Sequence, residues 1–224
     1  MIQLVVLATL LIIGLLLMLV LLSRNMAPSK KKLNMEIKRM REDMDTWAGE
    51  LVPINKEELE LFSLGQDKQV LRKGVTTTAK GIYTTIYHEP VLAYSYREYL
   101  GNKDKPNALL YVRTAEHDYV YWINKGEVSL FIDGQEVGKI TRDGQLLGKR
   151  TGKQIASLRR DNPEYLPIVV GQREVGSLTR KQTTSEKGLH QRAFEYLQPE
   201  LSDKEEQLFL ALSALELVER SVKS

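Results

Sequence analysis

The chain has no cysteine among its 224 residues, and this absence sets the first limit on its chemistry. Disulfide bonds, thiolate nucleophiles and cysteine-ligated zinc or iron–sulfur sites are excluded. The three histidines are far apart in the sequence, and none has a second histidine at metal-ligand spacing. The sequence therefore predicts no metal, no cofactor and no catalytic residue. Whether the chain is an enzyme stays open, with a non-enzymatic role favoured.

A strong excess of charge of one sign is also absent. The formal net charge is +3, and charged residues make up 27% and hydrophobic residues 42% of the chain. This is ordinary globular composition. Chains that bind nucleic acid usually carry a more concentrated positive charge. We therefore expect one folded domain and no nucleic-acid partner.

A long hydrophobic run occurs at the start of the chain. Residues 2–22 are almost entirely Leu, Ile and Val, with no charged residue. A helix of this length spans roughly 30 Å, the thickness of the hydrocarbon core of a bilayer. No basic residue precedes the run and no small-residue cleavage motif follows it, which favours an uncleaved anchor over a signal peptide. The pattern predicts a single-pass transmembrane anchor in residues 1–24.

Basic residues follow this run and do not precede it. Those nearest to it are Arg24, Lys30, Lys31 and Lys32. The positive-inside rule then places the N-terminus outside and the rest of the chain in the cytoplasm. The same juxtamembrane residues have a second interpretation, which is attraction to anionic lipid head groups.

Residues 25–66 are predicted to form a linker and short helices. The pattern indicates a charged helix from Lys32 to Trp47, whose Met and Ile side chains partly share one face. That face either packs against the domain or lies on the membrane surface. A second short helix is predicted to begin at Asn55, with apolar residues between Leu59 and Leu64 on one side.

Residues 67–224 change to the two-residue period of β-strands. From about Val70 onward, short runs of β-branched and aromatic residues are separated by turn signals at intervals of about 8–12 residues. Roughly a dozen such strands are typical of an antiparallel barrel. The fold class is therefore predicted as mainly β, an antiparallel β-barrel of about 12 strands that follows the N-terminal transmembrane helix.

An internal repeat supports a regular sheet. The segment Gly134–Arg142 recurs, with one inserted residue, as Gly171–Arg180, and more loosely as Gly152–Arg160. In each copy a glycine-containing turn reverses the chain and an alternating strand leaves it. The repeat unit is therefore predicted to be one arm of a β-hairpin.

The last segment predicts a hydrophobic helix over residues 203–222. Ser202 and Glu205 have the spacing of a capping box at its start. Residues 208–218 are apolar almost all round the helix, which requires burial on every side or a membrane. Eleven residues cover only about 16 Å, too short for a bilayer. We expect this helix to lie through the centre of the barrel, the alternative being a contact with a partner protein.

The chain resembles the tubby-like superfamily, which includes tubby C-terminal domains, phospholipid scramblases and LURP-one-related proteins. The resemblance covers about residues 68–222 and rests on the Asp133-Gly134-Gln135 hairpin, the repeated arms and the terminal apolar helix. It implies a barrel around a central helix and binding of lipid head groups through basic residues. Scramblases have a C-terminal apolar segment, cysteine clusters and a calcium-binding stretch without counterparts here, so scramblase activity is not implied.

Positive charge is concentrated near the repeat. The basic residues of this stretch are Lys139, Arg142, Lys149, Arg150, Lys153, Arg159 and Arg160. On one face they would attract an anionic lipid surface, whereas the plain alternative is a solvated strand face. The sequence thus predicts a membrane-anchored cytoplasmic module that binds anionic lipid or a membrane protein partner. The alternatives are an enzyme acting on lipid or membrane-associated substrates, and a structural component of a membrane assembly.

Overall fold

The computed structural model describes residues 2–54, 56–102, 104–180 and 191–223, apart from the side chains of residues 2, 4, 5, 8, 24 and 57. The helical elements are α1 (Ile2–Asn25), α2 (Lys30–Ala48), a short 3-10 helix (Lys56–Leu61) and α3 (Asp203–Lys223). The strands are β1 (Phe62–Lys73), β2 (Thr77–Thr85), β3 (Pro90–Asn102), β4 (Lys105–Arg113), β5 (Asp118–Asn124), β6 (Glu127–Ile132), β7 (Gln135–Ile140), β8 (Gln145–Gly148), β9 (Gln154–Leu158), β10 (Tyr165–Val170), β11 (Arg173–Thr179) and β12 (Phe194–Leu197). The predicted cap at Asn55 and the side chain of Arg24 lie outside these described parts.

The twelve strands form one antiparallel sheet in which each strand pairs with the next along the chain. The end of the sheet returns to its beginning, where the Ala193 amide donates to the Phe62 carbonyl and the Leu64 amide donates to the Gln191 carbonyl, both at 2.8 Å. The sheet is therefore a nearly closed barrel, as the strand pattern predicted. This architecture is compatible with a tubby-like barrel.

The repeated hairpins follow from three glycines at turns. Gly134, Gly152 and Gly171 have φ values of +79°, +62° and +63°. Side chains other than hydrogen strongly disfavour this left-handed region. β7, β9 and β11 begin within two residues of these glycines, which confirms the prediction that each copy of the repeat is a hairpin arm.

The C-terminal helix α3 lies in the main hydrophobic core. Its residues from Leu208 to Leu215 are all buried. The Tyr121 hydroxyl donates to the Ala211 carbonyl at 2.6 Å, and the Tyr83 hydroxyl donates to the Leu217 carbonyl at 2.9 Å. Tyrosines of β5 and β2 thus bond directly to the backbone of α3, and the apolar run predicted from sequence is enclosed by the strands.

Helix α2 packs against the outside of the barrel. Leu33, Met40 and Met44 are buried in a second hydrophobic cluster that includes Ile82 and Tyr111 from the outer face of the strands. Of the two interpretations of this helix, packing against the domain is the one that the structure shows. Met35, by contrast, is exposed.

The predicted short helix between Asn55 and Leu64 is only partly present. The 3-10 helix ends at Leu61, and Phe62 is already paired with Thr85 in β1. The apolar residues of this segment fit a helix or a strand by their pattern. The Phe62 carbonyl, however, accepts a hydrogen bond from the Ala193 amide, close to the last strand of the sheet. Closure of the barrel therefore extends β1 back to Phe62, before residue 67.

Within the described parts of the chain, no helix meets the combined requirement of length and hydropathy for a membrane span. The transmembrane character predicted for the N-terminal segment is therefore not confirmed by α1. Helix α1 itself is 24 residues long, and its large apolar side chains, such as Leu11 at 68% and Leu15 at 61%, are exposed.

Candidate functional site

The barrel has two ends that differ in their connection to α1. Since each strand runs antiparallel to the next, successive turns alternate between the two ends. Helix α1 meets one of them: the Thr76 hydroxyl donates to Asn25 Oδ1 at 3.4 Å, and Met26 forms a β-bridge with Leu100. We call this the α1 end; it includes the turns at residues 74–76, 125–126, 141–144 and 159–164. The far end includes the turns at residues 86–89, 114–117, 133–134, 149–153 and 171–172.

The alternation of turns divides the predicted basic cluster into two groups. Lys139, Arg142, Arg159 and Arg160 lie at or next to the α1 end. The far end receives the other three, which are Lys149, Arg150 and Lys153. The structure therefore does not bring the seven residues together on one surface, because each strand carries the chain from one end of the sheet to the other, so the turns before and after a strand lie at opposite ends.

Several members of the cluster are already engaged by other groups. The ion pairs are Lys139 with Glu127 at 2.9 Å, Lys149 with Glu136 at 2.7 Å and Arg160 with Glu216 at 2.6 Å. Arg142 Nη2 donates to the backbone carbonyl of Asp104 at 3.1 Å. Because this acceptor is neutral, the bond does not neutralise the charge of Arg142. Within the described residues, Arg150, Lys153 and Arg159 form no ion pair.

The centre of the α1 end is an arginine–glutamate cluster. Glu216, with 14% of its side chain exposed, lies 2.6 Å from Arg160 Nη2 and 3.0 Å from Arg220 Nε. Burial by itself would raise the pKa of Glu216, but the hydrogen bonds and charges of Arg160 and Arg220 hold that pKa below its ordinary value. This carboxylate is therefore a fixed partner of both guanidinium groups.

A cavity of about 620 Å³ opens beside this cluster. Its lining includes charged residues of both signs and the apolar residues Ile123, Val128, Ile140, Leu215 and Val222. Such a cavity combines an apolar interior with polar groups that can orient a ligand.

The α1 end has basic residues outside the predicted cluster; of these, Lys30, Lys31 and Lys32 were predicted as juxtamembrane residues, whereas Lys125 was not predicted. Lys125 is exposed on the turn between β5 and β6. The exposed residues Lys30, Lys31 and Lys32 begin α2 only a few positions after Met26, which is attached at the α1 end. The alternation of turns between the two ends would have grouped Lys125 with Arg142 and Arg159, which also lie on turns of this end. We define the basic rim of the α1 end as Lys30, Lys31, Lys32, Lys125, Arg142 and Arg159.

The far end contains a second cavity, of about 510 Å³. Its lining includes Glu116, His117, Tyr119 and Glu206. His117 Nδ1 lies 2.8 Å from Asp133 Oδ2. Burial raises the pKa of Glu206 above its ordinary value. These residues are up to 90 positions apart in the chain, so the sequence contains no local pattern that would have predicted the site.

No family model, curated protein sequence or solved structure matches this chain. The resemblance to the tubby-like superfamily therefore stays a prediction that the barrel architecture accommodates.

Proposed function

We propose that this protein is a membrane-anchored cytoplasmic module with a tubby-like barrel that binds anionic lipid head groups at its α1 end. The observation that carries the proposal is the coincidence of two features at one end of the barrel. The helix with the exposed apolar surface joins the barrel where the basic rim lies. A surface tethered beside a bilayer needs only weak individual contacts to stay bound.

The anchor is supported by the amino-acid sequence and by the exposure of the apolar side chains of α1. Although no helix met the criterion for a span within the described residues, residues 2–22 contain no charged side chain. An apolar surface around a whole helix is unfavourable in water and needs an apolar environment. By the positive-inside rule, the basic residues after this run favour a cytoplasmic location for residues 25–224 and an N-terminus outside.

The basic rim supports anionic lipid as the ligand. Lys30, Lys31 and Lys32 follow α1 directly, and Arg142 and Arg159 lie on turns of the same end. Each basic residue near an anionic membrane surface contributes about 1 kcal/mol of attraction. Such a rim can orient the barrel on the bilayer, whereas the basic residues of the far end would face away from it.

The proposal can be tested with the full chain in lipid nanodiscs. Because the chain has no cysteine, a single Asp161→Cys change allows a fluorophore to be attached at the α1 end. Its quenching by a head-group-linked lipid quencher is compared in neutral and anionic discs. We expect stronger quenching in anionic discs, and loss of that increase on Arg142→Glu with Arg159→Glu.

The matched control is Arg150→Glu with Lys153→Glu, which reverses the same number of charges at the far end. This control should leave the quenching increase intact. Equal effects of the two double variants, or no dependence on lipid charge, would contradict lipid binding by the rim and indicate a membrane protein partner instead. A chain that does not enter nanodiscs would contradict the anchor.

A further inference from the structure

The far-end cavity contains a buried hydroxyl group without a hydrogen-bond partner. Tyr119 is 0% exposed and lines this cavity, and its hydroxyl oxygen has no partner in the described chain. Leaving such a group unsatisfied costs about 1–3 kcal/mol. Tyr121, two positions along the same strand, is satisfied by the Ala211 carbonyl. The Tyr119 hydroxyl is therefore available to a ligand in the cavity.

Two carboxylates line the same cavity, and the charges of Lys56 and His117 only partly oppose the effect of burial on one of them, Glu206. Glu116, on the turn between β4 and β5, and Glu206, in the first turns of α3, form no ion pair with a described residue. The other charged groups around the cavity are Lys204, Lys56 paired with Asp203 at 2.6 Å, and His117 next to Asp133. Burial, and then the charges of Asp133, Glu206 and Glu116, raise the pKa of Tyr119. The hydroxyl therefore lies within electrostatic reach of both carboxylates.

These groups match the chemistry of a primary ammonium group. An alkylammonium ion has three N–H donors and no acceptor, while two carboxylates and a hydroxyl oxygen supply three acceptors. We propose that the far-end cavity binds a primary ammonium group, held by Glu116, Glu206 and the Tyr119 hydroxyl. The side chains of Ile54 and Leu210, in the same lining, provide apolar contacts for the methylene groups of the ligand.

The ammonium group has two chemical sources, a free alkyl amine or the lysine side chain of a partner protein. The cavity volume of about 510 Å³ lies within the range of roughly 300–1,000 Å³ that is typical of ligand sites. The proposal is independent of the lipid-binding proposal, since it concerns the opposite end of the barrel.

The test is isothermal titration calorimetry of the full chain in nanodiscs of neutral lipid, which do not attract amines by charge. One probe is 1,5-diaminopentane, and the other is a blocked Gly-Ser peptide with a single lysine. We expect binding with a dissociation constant of about 1 mM or lower. Glu206→Gln should weaken binding at least about tenfold, because a hydrogen bond between an ammonium group and a carboxylate is stronger than one to a neutral amide. Tyr119→Phe should weaken it several-fold.

Tyr99→Phe is the matched control, because the Tyr99 hydroxyl is also buried without a partner but does not line this cavity. It should leave the affinity unchanged. Tyr119→Phe should retain the unfolding temperature of the parent chain or exceed it, so weaker binding would not reflect misfolding.

Binding of both probes supports a site for the free amine, and binding of the peptide alone supports a partner lysine. Absence of heat with both probes at millimolar concentration overturns the proposal. Equal binding of a peptide with norleucine in place of lysine, or unchanged affinity in Glu206→Gln, overturns it as well.

Discussion

Two glutamates on α3 face opposite ends of the barrel and have opposite environments. Glu216, at the α1 end, is bonded to Arg160 and Arg220, which hold its pKa below the ordinary value against the effect of burial. Glu206, at the far end, has no ion pair within the described chain, and burial raises its pKa. The comparison teaches that the α1 end compensates its buried acid with fixed cations, whereas the far end leaves its acid available to a ligand.

The direction of α3 contributes to this difference. Its first turn contains Asp203, Glu205 and Glu206, and its last turn contains Arg220 and Lys223. Acids near a helix N-terminus and bases near its C-terminus are each favourable by about 0.3–1 kcal/mol. One helix therefore distributes acidic charge to the far end and basic charge to the end that α1 joins.

The largest expected contrast between the ends comes from two turn glycines. Gly144, at the α1 end, has a φ of +81°, and a Cβ there would collide with the Leu158 carbonyl. Gly134, at the far end, has a φ of +79° but no atom within 4 Å of a Cβ. Gly144→Ala should lower the free energy of unfolding by about 3 kcal/mol, since strain and overlap add. Gly134→Ala should cost about 1 kcal/mol. Denaturant unfolding of both variants checks this, and equal losses would contradict it.

The second contrast is between the two glutamates themselves. Glu216→Gln leaves two arginines at the α1 end without their carboxylate, and we expect a loss of about 2 kcal/mol in the free energy of unfolding. Glu206→Gln removes a half-buried charge that forms no ion pair with a described residue and whose burial outweighs the charges of Lys56 and His117, so it should leave stability unchanged or higher. Thermal unfolding of the two variants at neutral pH measures the difference. A loss of stability in Glu206→Gln as large as in Glu216→Gln would contradict the difference in environment between the two glutamates.

The pH dependence of the same two variants should have opposite signs. Because the pKa of Glu216 is lowered by folding, its ionised form stabilises the protein above the unfolded pKa of about 4.3, and this contribution is lost as pH falls through the folded pKa. Because folding raises the pKa of Glu206, its contribution is lost instead as pH rises through the raised value. The deficit of Glu216→Gln should therefore shrink in acid, and any gain in Glu206→Gln should grow towards neutral pH.

The smallest expected effect concerns the salt dependence of the two ends. Attraction of the basic rim to anionic nanodiscs should weaken as ionic strength rises, because the Debye length falls from about 10 Å at 0.1 M to about 3 Å at 1 M salt. A fluorophore on Gln135→Cys, at the far end, should show no comparable change. Salt-independent quenching at Asp161→Cys would contradict an electrostatic contact.

Much of the fold could be predicted because its signals are local. The alternation of apolar residues predicted the strands, and the glycines of the repeat predicted the hairpins at residues 134, 152 and 171. The all-round apolar surface of residues 208–218 predicted burial of α3. The error at Phe62 arose because the apolar residues between Leu59 and Leu64 fit a helical turn as well as a strand. Only the hydrogen bonds to residues 191–193, which close the barrel, decide between the two.

The sites depend on residues that are distant in the chain, and these could not be predicted. Arg150 and Arg159 are nine positions apart, yet strand β9 between them places them at opposite ends of the barrel. The acids that neutralise Lys139, Lys149 and Arg160 belong to other strands or to α3. Likewise, Glu116 and Glu206 meet in one cavity only because α3 enters the barrel at the far end.

The position of α3 also dictates an order of events during synthesis. All twelve strands precede the helix that they enclose, so the ribosome synthesises the strands of the barrel before the helix that occupies its core. At roughly 5–20 residues per second, synthesis of α3 is completed up to several seconds after synthesis of the last strand. Only then are the carbonyls present that accept hydrogen bonds from the Tyr83 and Tyr121 hydroxyls. During that interval the inner faces of the sheet are open to water and to chaperones, and maturation of the barrel is a late step that follows translation of α3.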